Sequence, residues 1–329
     1  MRIRPLLWWL VGVALVLVGG NPQPVRAAGA EFTVTPVLNA AQRAGVTDYF
    51  DLDVTPGHPQ TLKMMLHNEA KTPETFTIGA NPAYTSDGGA VAYDRADPTG
   101  FTGEYSMHKL VTGPTEVTLA AGESRQLTYH LTPPANTFGG IISGALYVRR
   151  ELDADNTGSG VTLQNRYAFA LPIRLHSGSN LGTAPSLRLL AASGEPLSAT
   201  IENPSPHQFG EISLTLTLVA RATGKTVWTQ TWSQLAVAPT SRFTLTPAPP
   251  VLKAGQYQLT MSAKSGEYTW QGSRQFTLSA AAAAQQAAAN QPVANSPWGS
   301  LTFFAIAVLV ALAAGAGGWA WHWRRQRGH

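Results

Sequence analysis

The chain has 329 residues and no cysteine, so disulfides, thiolate metal sites and thiol nucleophiles are all excluded. Its net charge of +4 conceals an uneven distribution: Arg2, Arg4, Arg26, Arg324, Arg325 and Arg327 lie at the ends, while the body between them holds all 19 acidic residues against 17 basic ones. Neither half of that body carries the basic stripe needed to neutralise a phosphate backbone, which argues against nucleic acid as a partner.

In chain order, residues 1–27 read as a signal peptide. Arg2 and Arg4 open the segment, Leu6 to Val18 is apolar, and Val25-Arg26-Ala27 supplies a small-residue exit. From Glu31 onward apolar residues alternate with polar ones, and Gly, Pro, Asn and Asp punctuate at short intervals, which predicts antiparallel strands covered on one face. One device recurs: Gly57 precedes Leu62, Met64 and Leu66; Gly122 precedes Leu127, Tyr129 and Leu131; Gly255 precedes Tyr257, Leu259 and Met261. In each case a glycine turn feeds a strand whose alternate side chains face a core.

Within "YFDLDV", Phe50, Leu52 and Val54 take the core side, which places Asp51 and Asp53 on the opposite, solvated face, roughly 7 Å apart. Carboxyls that look the same way do not flank a scissile bond as a glycosidase pair must. His58, His67, His108, His130, His176 and His207 are scattered without metal-ligand spacing. Since G-x-S-x-G, phosphate-loop and H-E-x-x-H strings are also missing, the sequence offers no catalytic residue, no metal site and no cofactor site.

A first β-sandwich is expected over 31–178. It contains a turn-rich insertion from Asn81 to Val111, and loops of that length either bind something or are disordered. Glycines inside "FGGIISGALYV" mark either a bent core strand or a ligand platform. After the polar joint "SGSNLGTAP", about seven strands over 184–278 fit a second sandwich. Its same-face aromatic pairs, Trp228 with Trp232 and Tyr268 with Trp270, read either as core filling or as a platform for a glycan or protein, and they are the candidate binding residues.

Residues 279–297, rich in Ala, Gln and Pro, form a spacer, either a flexible stalk or a semi-rigid helix. The segment 298–323 is expected to be a transmembrane helix: Leu301 to Trp321 is uncharged, about 20 apolar residues cross a hydrocarbon core, and tryptophans flank it. The basic tail 324–329 then lies in the cytoplasm. The fold class that emerges is all-β, two tandem immunoglobulin-like β-sandwiches outside the cell plus one C-terminal transmembrane α-helix.

The order of these stretches resembles the WxL-interacting cell-surface proteins of Gram-positive bacteria. "YFDLDVTPGHPQTLKMMLHNEA", "VTLAAGESRQLTYHLTPP", "FGGIISGALYV" and "NRYAFALPIRL" carry the resemblance in the first domain; "LSATIENPSP", "LAVAPTSRFTL" and "LKAGQYQLTMSAKSGEYTWQGSRQFTL" carry it in the second. The resemblance implies a peptidoglycan-binding first domain, a second domain that binds a host component, no enzymatic activity, and association with secreted WxL-domain proteins at the plasma membrane. The chain's own W-x-L string, Trp8-Trp9-Leu10, falls inside the signal segment. Two other readings stay open: a cell-wall hydrolase using Asp51, Asp53 or the loop near Asp87 to Asp97, and a membrane-held chaperone for secreted surface proteins.

Overall fold

The structure, a computed structural model, describes residues 31–151, 167–178, 184–249 and 251–289. The signal segment 1–27, the helix expected over 298–323, the tail 324–329 and the far part of the 279–297 spacer lie outside the described residues. Among those that are described, no helix is long and apolar enough to cross a membrane.

Strands dominate, as the alternation predicts, and they enclose two separate apolar clusters. Around the first cluster, β1 (Phe32–Val37), β3 (Gln60–Asn68), β9 (Ser124–Leu131) and β7 (Val111–Thr112) form one sheet in that order. A second sheet runs β2 (Phe50–Asp53), β11 (Ala168–His176), β10 (Ile141–Arg150), β4 (Glu74–Pro82), β8 (Glu116–Leu119). The glycine device works as expected here: Gly57 and Gly122 both adopt φ 69°, a left-handed value that suits glycine, and Leu62 and Met64 then lie opposite Tyr129 and Leu127 inside the core. Each such buried side chain contributes about 1.5–3 kcal/mol relative to exposure.

The glycine-rich strand β10 is a central core strand. A Cβ on Gly144 would press within 2.7 Å of Met107 in the short helix α1 (Met107–Leu110), so this glycine admits a neighbouring side chain to the sheet.

Around the second cluster, β12 (Arg188–Gly194), β13 (Leu197–Asn203) and β16 (Ser241–Leu245) face a four-stranded sheet. That sheet is ordered β15 (Lys225–Val237), β14 (Phe209–Ala220), β17 (Gly255–Ser265), β18 (Tyr268–Leu278). On β14 every second residue from Ile212 to Leu218 is fully buried.

The first part of the spacer is a helix, α2 (Ala280–Ala289), and it is not a free stalk. Ser279 Oγ accepts from the Ala282 N–H at 3.1 Å as an N-cap, Ala282 is buried in the second core, and Gln286 Nε2 donates to the Gly194 carbonyl.

Candidate functional site

The long insertion turns out to bind this chain's own second module. Its hairpin, β5 (Tyr84–Thr85) with β6 (Val91–Ala92), turns through Gly89 at φ 73°, and the chain then runs along the outer edge of β16. An antiparallel bridge joins Phe101 to Ser241; the Thr102 N–H donates to the Thr240 carbonyl at 2.8 Å and the Arg242 N–H to the Gly100 carbonyl at 2.6 Å. Elsewhere the Ala236 N–H reaches the Gly89 carbonyl at 2.8 Å, and the Ile141 N–H reaches the Pro206 carbonyl at 2.7 Å. An exposed strand edge is a liability that proteins cover, and here the first module covers an edge of the second.

Thr85 and Ser241 sit at the centre of this contact. Both are buried, their hydroxyls are 2.5 Å apart, and Thr85 Oγ1 also accepts from the Ala238 N–H at 3.0 Å. Sequence reasoning missed this pair, which is 156 positions apart and carries no motif. The turn string "SDGGA" between two short apolar stretches was the only available sign of an ordered hairpin.

Beside the contact, Tyr84 donates to Asp94 at 2.6 Å with the Arg95 guanidinium over its ring. Burial, then the Asp94 hydrogen bond, push the Tyr84 phenol up to about 12 from an ordinary 10.0. Because the folded value is the higher one, the stabilisation is complete below pH 10.0 and disappears as pH rises through about 12. An alkaline titration should therefore show insertion residues becoming protease-sensitive in that window, alongside a phenolate absorbance step that is lost in Tyr84→Phe.

Among the described residues, hollows open along the junction and another lies within the first module. One at the junction has about 300 Å³ and is walled by Phe101, Glu104, Tyr105 and Phe138 from the first module and Pro206 and Thr240 from the second. The one within the first module, of about 370 Å³, lies between the C-terminal half of β4, where Asn81 sits, and the loop that holds Gly113 and Pro114.

The four candidate aromatics all lie on the core-facing side of the four-stranded sheet, at its two opposite edges. Trp228 and Trp232 on β15 stand opposite Leu218 and Leu214, half-buried, with ring centroids 6.4 Å apart in an edge-on arrangement. Tyr268 and Trp270 on β18 stack at 6.2 Å; Trp270 also packs on Phe209 and donates from Nε1 to the Pro185 carbonyl at 3.2 Å. Strand order separates the pairs by β14 and β17, so they form two small aromatic borders and not one platform. Tyr268, 39% exposed, is the most open of the four.

The expectation for Asp51 needs correcting. Asp53 is exposed and faces Arg43 at 3.8 Å, but Asp51 is buried with its Oδ1 2.7 Å from His176 Nε2. Pairing of β2 with β11 in parallel brings together two residues 125 positions apart, and the outer face of this sheet edge is covered where the sequence suggested solvent. The two carboxylates therefore occupy unlike surroundings and do not converge on one cleft.

Comparison with known proteins supplies the context for this geometry. Residues 32–150 match the peptidoglycan binding domain of WxL Interacting Proteins, and residues 158–288 match the host binding domain of the same proteins. No curated protein matches the chain. Among solved structures it is similar to the CsuC-CsuE chaperone-tip adhesion subunit pre-assembly complex of Acinetobacter baumannii, with 13% identity over 74% of this chain and 97% of that one and a TM-score of 0.36. It is also similar to the class 5 fimbriae chaperone CfaA, at 12% identity over 75% and 98% with a TM-score of 0.30. PapD-like domain 7 of human CEP192 gives 12% identity over 49% and 94% with a TM-score of 0.30. The second match begins ahead of β11, a strand of the first module, so the matched ranges and the β modules do not share a boundary; the two matched domains, in this order and together over most of the chain, make it a member of the WxL Interacting Protein family.

Proposed function

We infer that this chain is a non-enzymatic surface protein of a Gram-positive cell, held at the plasma membrane by its C-terminal segment, with its body in the wall. Its first module grips peptidoglycan and its second a host component. The observation that carries this reading is the match of both modules to binding domains of one family. Asp51, buried against His176, and Asp53, open to solvent, support a binding role over a hydrolytic one. For the host component we assign the stacked Tyr268–Trp270 pair as first contact, because amphipathic aromatic rings give contact area at small entropic cost.

The WxL-domain partner is placed on the β15 border. Among the described strands β15 pairs only with β14; apart from Ala236, whose N–H is taken by Gly89, main-chain groups along its edge accept an added strand, with Trp228 and Trp232 bordering it. Full chain in mild detergent, mixed with purified wall sacculi and sedimented, should pellet. Recovery in the supernatant would count against wall binding. A zymogram on the same sacculi should show no clearing; clearing that survives in Asp53→Asn and disappears in Asp51→Asn, with folding checked, would establish the hydrolase reading instead.

A further inference from the structure

The cleft at the module junction has the chemistry of a saccharide site. Phe101, Tyr105 and Phe138 are half-exposed in its walls, and the Tyr105 and Phe138 rings, 6.4 Å apart and inclined at 50°, form an open V. Glu104 is its one charged lining residue, and its closeness to Tyr105 raises that phenol above the ordinary 10.0. No lysine, arginine or histidine lines it, so an anionic polymer finds no counter-charge there. Its lining is polar and apolar in nearly equal measure, and ligand pockets of this size occur preferentially at domain interfaces.

Main-chain pairing around the cleft narrows the ligand class further. The N–H groups of Phe101, Thr102, Ile141 and Thr240 are all engaged within the chain, so these four cannot pair with an added strand. What remains available are aromatic faces, a carboxylate and hydroxyls. A pyranose fits that set, because its C–H face stacks on rings while its hydroxyls donate to a carboxylate.

We propose that this cleft binds a neutral N-acetylhexosamine unit of a glycan strand, stacked on Tyr105 and Phe138 with a hydroxyl donated to Glu104. The site is composite, since Pro206 and Thr240 of the second module close it. Gly103 keeps the wall thin: a Cβ there would stand 2.6 Å from Thr240 Oγ1 and 2.7 Å from the Phe101 ring. Wall recognition, on the reading above, then depends on both modules and not on the first alone.

The test uses full chain in detergent and the neutral trimer of N-acetylglucosamine, followed by saturation-transfer NMR and titration. Trimer binding should fall at least tenfold in Tyr105→Ala and in Phe138→Ala. It should fall equally in Thr137→Trp, which fills the mouth from an exposed position without removing a core group. Absence of trimer binding to the unaltered chain, or variants that all bind the trimer as tightly as the unaltered chain does, overturns the site, as does preferential binding of an uncharged aromatic tripeptide. Sedimentation with sacculi separates this outcome from the broader reading: pelleting without trimer binding removes the cleft alone, whereas trimer binding without pelleting keeps the cleft and removes the wall as its ligand.

Discussion

Asn203→Leu should destabilise the second module by about 3 kcal/mol, a large effect for one side chain. Asn203 is fully buried at the end of β13, and its Nδ2 donates to both the His207 and Ala238 carbonyls at 2.7 Å. Its Oδ1 accepts from the Ser205 N–H at 3.0 Å and from the Ser205 hydroxyl at 2.5 Å. Leucine offers similar bulk but makes none of these four hydrogen bonds, and each buried group left unsatisfied costs about 1–3 kcal/mol. Because the Ala238 carbonyl also accepts from Ser241, which meets Thr85, the damage should spread to the insertion. Urea unfolding followed by tryptophan fluorescence reads the loss directly, since the described tryptophans lie in the second module. Asn68 holds the corresponding place in the first module, donating to Thr72, Leu119 and Ala120 carbonyls and accepting from the Ala70 N–H. Asn68→Leu should cost a comparable amount there.

Gly100→Val and Gly140→Val should part the modules without unfolding either. A Cβ on Gly100 would overlap the Arg242 carbonyl oxygen, and one on Gly140, which also has φ 71°, would overlap the Pro206 carbonyl oxygen. Backbone cannot retreat from such overlap as a flexible side chain can, and overpacking costs about 2 kcal/mol. That loss would raise the undocked population roughly thirtyfold. Limited proteolysis should then cut between residues 86 and 102 at a correspondingly higher rate, and solution scattering should report a larger radius of gyration. Unaltered cleavage and dimensions in both variants would mean that the junction is not held where the hydrogen bonds place it.

Local features of this fold were easy to read and distant ones were not. Alternation in "TLKMML" and "QLTYHL" is a property of neighbours, so β3 and β9 could be placed, and their positive-φ glycines with them. The β2–β11 pairing depends on a crossover of more than a hundred residues, and nothing near Asp51 announces His176. The insertion was legible only as a long loop with turn residues. Its complement is the β16 edge, a main-chain surface with little side-chain signature, so the sequence between Asn81 and Val111 could not say what it would meet. For the aromatic pairs the same-face spacing was readable, but which face required the partner strand: Leu214 and Leu218 of β14 settle it for Trp228 and Trp232, and buried Ala263 of β17 for Trp270.

The bridge from residues 100–102 to 240–242 gives the junction a preferred direction of mechanical resistance. Bonds in a short antiparallel ladder lie across the strands, so sliding one strand along the other strains them together, whereas peeling loads them one after another. Tension along the ladder would meet a stiff joint, while a sideways tug would meet a yielding one.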